Sequence, residues 1–528
     1  MNYYKKYLKY KKKYLELTKM IGGDDIVIKY YKYIDYKGKN KFDNNNYYKN
    51  INPFNLSIIL DSENNIFIGA VRTTIYDYIL TYDDRKIIEY IERKDKKNKT
   101  GEEKDDELIY HNELISPGNS RKCKIKINKD EEETDIERFY GFYDKSKVKN
   151  LDPPFGNYGS NFLWNNWDSR ITSTNYILIN PANFTTIELV INVDNNLLKK
   201  YNNQKDKIIK DFHNIVDVRI KKYNELIIVH DHQVHTLYLI RYDKNKNELL
   251  IYDIINAKNK TEGNNLTLIF LTNNNNGYDI TYLDWFYKNG IKIISVNTYN
   301  DEKKEFFIER ENGFIGKGNC DEGNIDYPLF SFSTPLVIIS ETKEEIIWLG
   351  VGHIKIKNQE TCHYNYNKKL QVFRKNLHDN IYKKYQDKYR PNLGSKSMWS
   401  GFSGFEKQSI FNCEGYIYMM YFYKLIKKGN EYKFMLSDAF LPLNYDDEHK
   451  DKYKFSLFFP AGLIINNNDV LVSGGEGDYY SIIINFDLEW VNKEIKYDYQ
   501  TMNINDFNYK VLKYKNNKTE IIDDPSKL

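Results

Sequence analysis

Apolar residues fall in short runs along most of this chain, bounded by Asn, Asp and Gly. Leu56–Leu60 and Ile66–Thr74 form such a pair, as do Leu226–Val229 and Thr236–Tyr242, and Tyr416–Leu425 and Tyr432–Leu436. Similar runs lie at Ile87–Glu92, Tyr176–Ile179, Thr186–Val193, Glu248–Ile254, Ile291–Asn297, Glu305–Glu309, Leu336–Ile339 and Ile346–Ile356. Runs of this length and β-branched content are strands, and tight turns such as Asp243–Asn247 and Lys427–Asn430 join them as hairpins. Helical periodicity is confined to residues 1–23, Asp194–Phe212 and Leu377–Tyr389. Phe455–Asp487 reads as three consecutive strands, turning at Asn466–Asp469 and at Gly474-Gly475, with Glu476 and Asp478 displayed at the second corner. Strand clusters repeating every few tens of residues favour an all-β propeller over a sandwich or an α/β fold.

The N-terminal segment is a separate unit. Tyr7/Leu8 and Tyr14/Leu15 recur at heptad spacing among lysines, and Gly22-Gly23 supplies a helix stop. The pattern predicts a basic amphipathic helix over 1–23, a polar linker over 24–52, a propeller over 53–500 and a polar C-terminal tail over 501–528. Charge blocks at Arg93–Asp106 and Asp130–Glu133 read as solvated loops.

Composition narrows the function. Lys+Arg 78 against Asp+Glu 74 leaves +4, too little for a global field that recruits nucleic acid. Cys123, Cys320, Cys362 and Cys413 are far apart, which predicts neither a disulfide framework nor a zinc ribbon and fits a reducing compartment. No apolar run is long enough for a transmembrane helix. His230, His232 and His235 cannot share one strand face, so no metal site is expected, and no organic cofactor fingerprint is present.

Four segments carry a family resemblance. The Phe-Pro-x-Gly strand at Phe459–Gly462 with its Gly-rich acidic corner resembles the last blade of five-bladed sugar-processing propellers, most closely the β-mannoside phosphorylases and hydrolases. Asn165-Asn-Trp-Asp-Ser-Arg-Ile-Thr172 resembles that family's Asp-Pro-Arg motif, with Ser169 in place of Pro and Trp167 in place of an acidic residue. The resemblance implies Asp168 as the general acid and Arg170 as its neighbouring cation. Trp164 and Trp167 would desolvate the carboxyl and raise its pKa. The alternative is an Asp168–Arg170 structural bridge. Phe332-Ser-Thr-Pro and Ile346–Ile356 resemble the blade whose His holds inorganic phosphate, here His353, with Lys355 two residues on. His353 is equally suited to a structural role. Trp285 lies in a segment resembling the opening of the third blade, and is either a sugar platform or blade core.

Phosphate is itself a nucleophile, so phosphorolysis needs no protein base. Hydrolysis needs a second carboxylate, for which Glu476 and Asp478 are the candidates, or else they are turn residues. The resemblance therefore implies a five-bladed β-propeller acting on a glycan or sugar-phosphate, with inorganic phosphate as co-substrate. The alternative is a catalytically inactive propeller that binds glycan or protein. Residues 1–23 resemble a short helix common at the N-termini of giant-virus proteins. That implies a viral partner and residence in host cytoplasm, viral factory or virion.

Overall fold

Alternating apolar positions do become strands, and their register decides which sheets meet. The computed structural model describes residues 26–36, 51–75, 172–310, 329–356, 417–446 and 458–528, apart from 216, 258–265, 275–276, 287–289, 301, 477–479 and 504–505. It also describes strand segments within 89–143 and short pieces of 372–377. These residues form an all-β protein with a propeller-like arrangement of sheets.

Blade I runs from β2 (Ile51–Asp61) through β3 (Ile66–Ile75) and β9 (Thr172–Ile179) to β10 (Thr186–Glu188). Between β3 and β9 lies a long insertion with its own small sheet. Its strands are β4 (Glu89–Arg93), β5 (Leu108–His111), β6 (Cys123–Lys126), β7 (Thr134–Arg138) and β8 (Phe142–Tyr143). Blade II holds β12 (Arg219–Tyr223), β13 (Leu226–His230), β14 (Thr236–Asp243) and β15 (Glu248–Asn256), with β11 (Val190–Val193) added parallel to β15. Two helices, α1 (Asn195–Lys200) and α2 (Lys205–His213), carry the chain from β11 back to β12. Asp194 caps α1 by accepting from the Asn196 N–H, and Phe212 of α2 stacks on Tyr176 with ring centroids 4.3 Å apart.

Blade III is β16 (Thr267–Asn274), β17 (Gly277–Phe286), β18 (Gly290–Asn297) and β19 (Lys303–Ile308). Next comes a larger sheet of eight strands. It comprises β20 (Leu329–Phe332), β21 (Val337–Glu341), β22 (Glu345–Ile356), β23 (Ile417–Lys428), β24 (Glu431–Asn444), β28 (Tyr497–Asp498), β29 (Tyr509–Lys515) and β30 (Lys518–Ile522). Blade IV is β25 (Phe458–Asn466), β26 (Asp469–Glu476) and β27 (Tyr480–Asp487), completed by β1 (Ile28–Tyr33) from the other end of the chain. Helix α3 (Leu488–Glu494) follows β27, and its Trp490 stacks with Phe486 and meets Phe422 and Phe440, joining blade IV to the large sheet.

Inner strands tie neighbouring sheets together. Ser57 of β2 donates to the Ala461 carbonyl of β25, and its oxygen accepts from the Ile220 N–H of β12. Lys221 of β12 donates to the carbonyls of Leu268 and Ile269 in blade III and of Leu336 beside the large sheet. Thr267 of β16 donates to the Thr334 carbonyl, and His353 of β22 packs on Phe459 of β25.

Three expectations change. Five blades become four, because the remaining sheet, with eight strands, exceeds blade size. The 24–52 linker is interrupted by β1, whose Ile28 and Tyr31 are buried against blade IV. The 501–528 tail instead contains β29 and β30, in which Val511, Leu512 and Tyr514 enter the core. Tyrosine supplies much of the apolar surface in both segments, so their Tyr/Lys content concealed strands. The helix expected over 1–23 lies outside the described residues. No helix among those described is long and apolar enough to cross a membrane.

Candidate functional site

Burying an arginine is costly unless its charge and donors are answered, so buried arginines mark where a fold concentrates polar chemistry. Two occur where the inner strands meet, Arg72 and Arg219, each 1% exposed. Arg72 sits in β3 within the otherwise apolar Gly69-Ala-Val-Arg72, and Arg219 opens β12 after Asp217. The Arg72 Nη1 donates to Asp217 Oδ1 at 2.7 Å, and Asn55 Nδ2 donates to the same oxygen at 3.2 Å. Arg219 donates through Nη1 to the Asp217 and Val218 carbonyls and through Nε to the Ser333 carbonyl. Its guanidinium lies 5.0 Å from the centroid of the Phe459 ring, which also meets the His353 ring at 4.9 Å. His353 is fully buried, with Nδ1 2.6 Å from Ser333 Oγ.

The electrostatics follow from this packing. Burial would push the Asp217 carboxyl up, but the Arg72, His232 and Arg219 charges outweigh it and hold the group well below the usual carboxylate range. Burial lowers Arg219 to about 10, so it remains a cation at neutral pH. Burial also lowers His230 to about 4, leaving a neutral imidazole whose Nδ1 is 2.6 Å from the Asp231 carbonyl. Lys221, on the same strand as Arg219, is lowered to about 7 by burial. The cluster is thus an anion flanked by two cations, with aromatic faces beside it.

The expected site residues are distributed as follows. His353 lies in the cluster. Trp164, Trp167, Asp168, Arg170 and Asp478 lie outside the described residues. Trp285 and Lys355 have their backbones in β17 and β22, paired with Ile291 and with Leu329 and Tyr418, and their side chains lie outside the description. Glu476 ends β26. Its carboxylate is buried and accepts from Tyr31 Oη at 3.1 Å and Tyr33 Oη at 2.9 Å. Burial first, then the Glu476 charge, pushes both phenols well above their usual range, so they stay donors. Glu476 is a clasp holding β1 to blade IV.

Chain connectivity relates the undescribed residues to the cluster. Thr174 is the register partner of Arg72, and Asp168 precedes it by six residues. At the other corner, Gly475 presses so closely on Asn55 that a Cβ there would lie 2.3 Å from Asn55 Oδ1, and Asp478 follows three residues later. Asn55 itself is left-handed, at φ 50°, and its amide reaches Asp217 from that backbone. Sequence reasoning missed Asn55, Arg72, Asp217 and Arg219. The available signal was lone charges inside apolar strands, at Arg72 and in Ile215-Val-Asp-Val-Arg219. Among the described residues no group of His, Cys, Asp and Glu could hold a metal ion.

No protein-family model and no curated protein matches the chain. Solved structures similar to it include a β-1,2-mannobiose phosphorylase from Listeria innocua, at 11% identity and TM-score 0.36 over 88% of this chain and 98% of that one. A glycosyl hydrolase from Bacteroides ovatus has 10% identity and TM-score 0.36, over 88% and 96% of the two chains. A mannose phosphorylase from Leishmania mexicana has 10% identity and TM-score 0.30, over 93% and 98%. At these identities and scores the likenesses assign no activity. The fold and cluster themselves define an all-β, propeller-like protein with a buried ionic centre on its inner strands.

Proposed function

We propose that the protein is a carbohydrate-active propeller that cleaves or forms a glycosidic bond, of mannoside phosphorylase or hydrolase type. One observation carries this reading. His353 meets the Arg72–Asp217–Arg219 cluster through Phe459, and the same cluster is close along the chain to Asp168 and Asp478. Asp168 lies six residues before Thr174, the register partner of Arg72, and Asp478 lies three residues after Gly475, which presses on Asn55.

In this reading Asp168 protonates the departing glycosidic oxygen, and Arg170 and the Trp164, Trp167 and Trp285 rings hold the sugar. His353 and Lys355 receive inorganic phosphate or a sugar phosphate, and Asp478 activates water if the reaction is hydrolytic. The test is turnover of a panel of mannosides with and without phosphate. Asp168→Asn should lower turnover of an unactivated substrate by about two to four orders of magnitude, the worth of a positioned general acid. A substrate whose leaving group needs no proton should be rescued, and His353→Ala should abolish any phosphate dependence.

One observation favours a second reading, an inactive propeller that binds glycan or protein. Arg219 and Lys221 already donate to main-chain carbonyls, and Asp217 already answers Arg72. Absence of turnover across the panel, with glycan binding equal in wild type and Asp168→Asn, selects that reading.

A further inference from the structure

A second feature lies away from the ionic cluster, at the outer edge of the eight-stranded sheet. A groove of ≈ 580 Å³ runs there between α3 and the β29–β30 hairpin. Four consecutive residues of β30, Lys518, Thr519, Glu520 and Ile521, line it. Successive side chains of a strand point to opposite faces, so a groove lined by all four follows the strand's edge rather than one face. β30 is the last strand of its sheet, and among the described residues no strand pairs with its outer side. An unpaired edge presents main-chain donors and acceptors to an incoming strand.

Charge selects the occupant. Lys493, Lys513, Lys515 and Lys518 line the groove against Glu494 and Glu520, and Glu520 is already paired with Lys513 at 3.3 Å. Lys493, Lys515 and Lys518 are exposed, and so is Ile521, at 39%. The chain's own N-terminal segment reaches the groove at Val27, beside the Ile28 N–H that donates to Thr519 Oγ1, but residues 1–26 carry seven lysines against Glu16, Asp24 and Asp25, a net positive charge that disfavours them as the occupant. We propose that this groove binds an acidic polypeptide segment, which adds to β30 as an extended strand and sets its carboxylates against Lys515 and Lys518. Apolar contact with Ile521 and main-chain pairing favour a peptide over a phosphodiester chain.

The test uses the full chain and a fluorescein-labelled peptide of alternating Glu and Val, read by anisotropy. Saturable binding is expected, weakening as salt rises. The Gln–Val peptide, and the Glu–Val peptide against Lys515→Glu/Lys518→Glu, should each bind about tenfold more weakly, the worth of a few exposed ion pairs. Both positions are exposed, so an unchanged unfolding midpoint will show that the variant is folded. Methylating alternate backbone nitrogens of the peptide should abolish binding. No binding to wild type, equal binding of the Gln–Val peptide, or full binding by the charge-reversed variant overturns the proposal. Retained binding of the methylated peptide overturns strand addition, and tighter binding of oligo-dT or polyphosphate overturns the choice of a peptide.

Discussion

Replacing Asp217 by Asn keeps its shape and removes the charge that answers Arg72. The Arg72 side chain is 2% exposed and cannot reach water without moving β3, whereas the Asp217 side chain is 24% exposed. Breaking a buried pair by removing one partner costs about 3–5 kcal/mol, because the other charge stays uncompensated. The partial exposure of Asp217 and the acceptor oxygen retained by Asn place the expected loss near the lower end, at about 3 kcal/mol. Urea unfolding followed by intrinsic fluorescence measures it as a shift in midpoint at unchanged slope. The paired replacement Arg72→Met/Asp217→Leu should recover part of the loss, since it removes the Arg72 charge together with its partner while Arg219 still loses the Asp217 carboxylate. The acid limb gives an independent check. The folded carboxyl is held below its unfolded value, so its contribution is present above pH of about 4 and disappears as pH falls through the folded value. Asp217→Asn should lack that part of the acid destabilisation. A loss below about 1 kcal/mol, the size of an exposed pair, would refute the reasoning.

Burial lowers Lys221 in the folded protein to about 7 from its ordinary value of 10.5. The unfolded chain therefore binds the extra proton between these values, and stability should rise with pH by at most about 1.4 kcal/mol per unit in that window. Lys221→Met should remove that slope in urea titrations. Deleting residues 1–23 should leave the unfolding midpoint nearly unchanged, whereas deleting 1–36 should lower it sharply, because β1, Tyr31 and Tyr33 go with it. Asp438 is fully buried and accepts from Tyr497, Lys496, Lys510 and the Asn508 N–H. Asp438→Leu should cost about 3 kcal/mol or more in the same assay, and no measurable loss would show that the lysines reach water instead.

Most strands were legible because they alternate or cluster locally, as Leu56–Leu60 and Ile66–Thr74 do. β1 was not, since Ile28-Lys-Tyr-Tyr-Lys-Tyr33 looks polar until Tyr31 is buried against its partner Ile484. β29 was concealed in the same way by Tyr509-Lys-Val-Leu-Lys-Tyr514. α3 was missed because Leu488–Glu494 is too short to establish a helical period. His353 was named from its motif, whereas Arg72 and Asp217 are 145 residues apart and meet only through the packing of β3 beside β12. No local spacing encodes that encounter.

Joining the first described strand to the last blade also sets an order in time. Tyr31 meets Glu476 across 445 residues, so during synthesis β1 leaves the ribosome long before its partner exists. At about 5–20 residues per second the wait is about 20–90 s. Through that interval the Tyr-rich strand has no native place in a sheet, and a chain that stops before residue 480 never provides one. Such a chain keeps both β1 and the incomplete blade IV as open edges, the form of surface that pairs with other molecules. Completion of blade IV is thus a late event, coupled to completion of the chain.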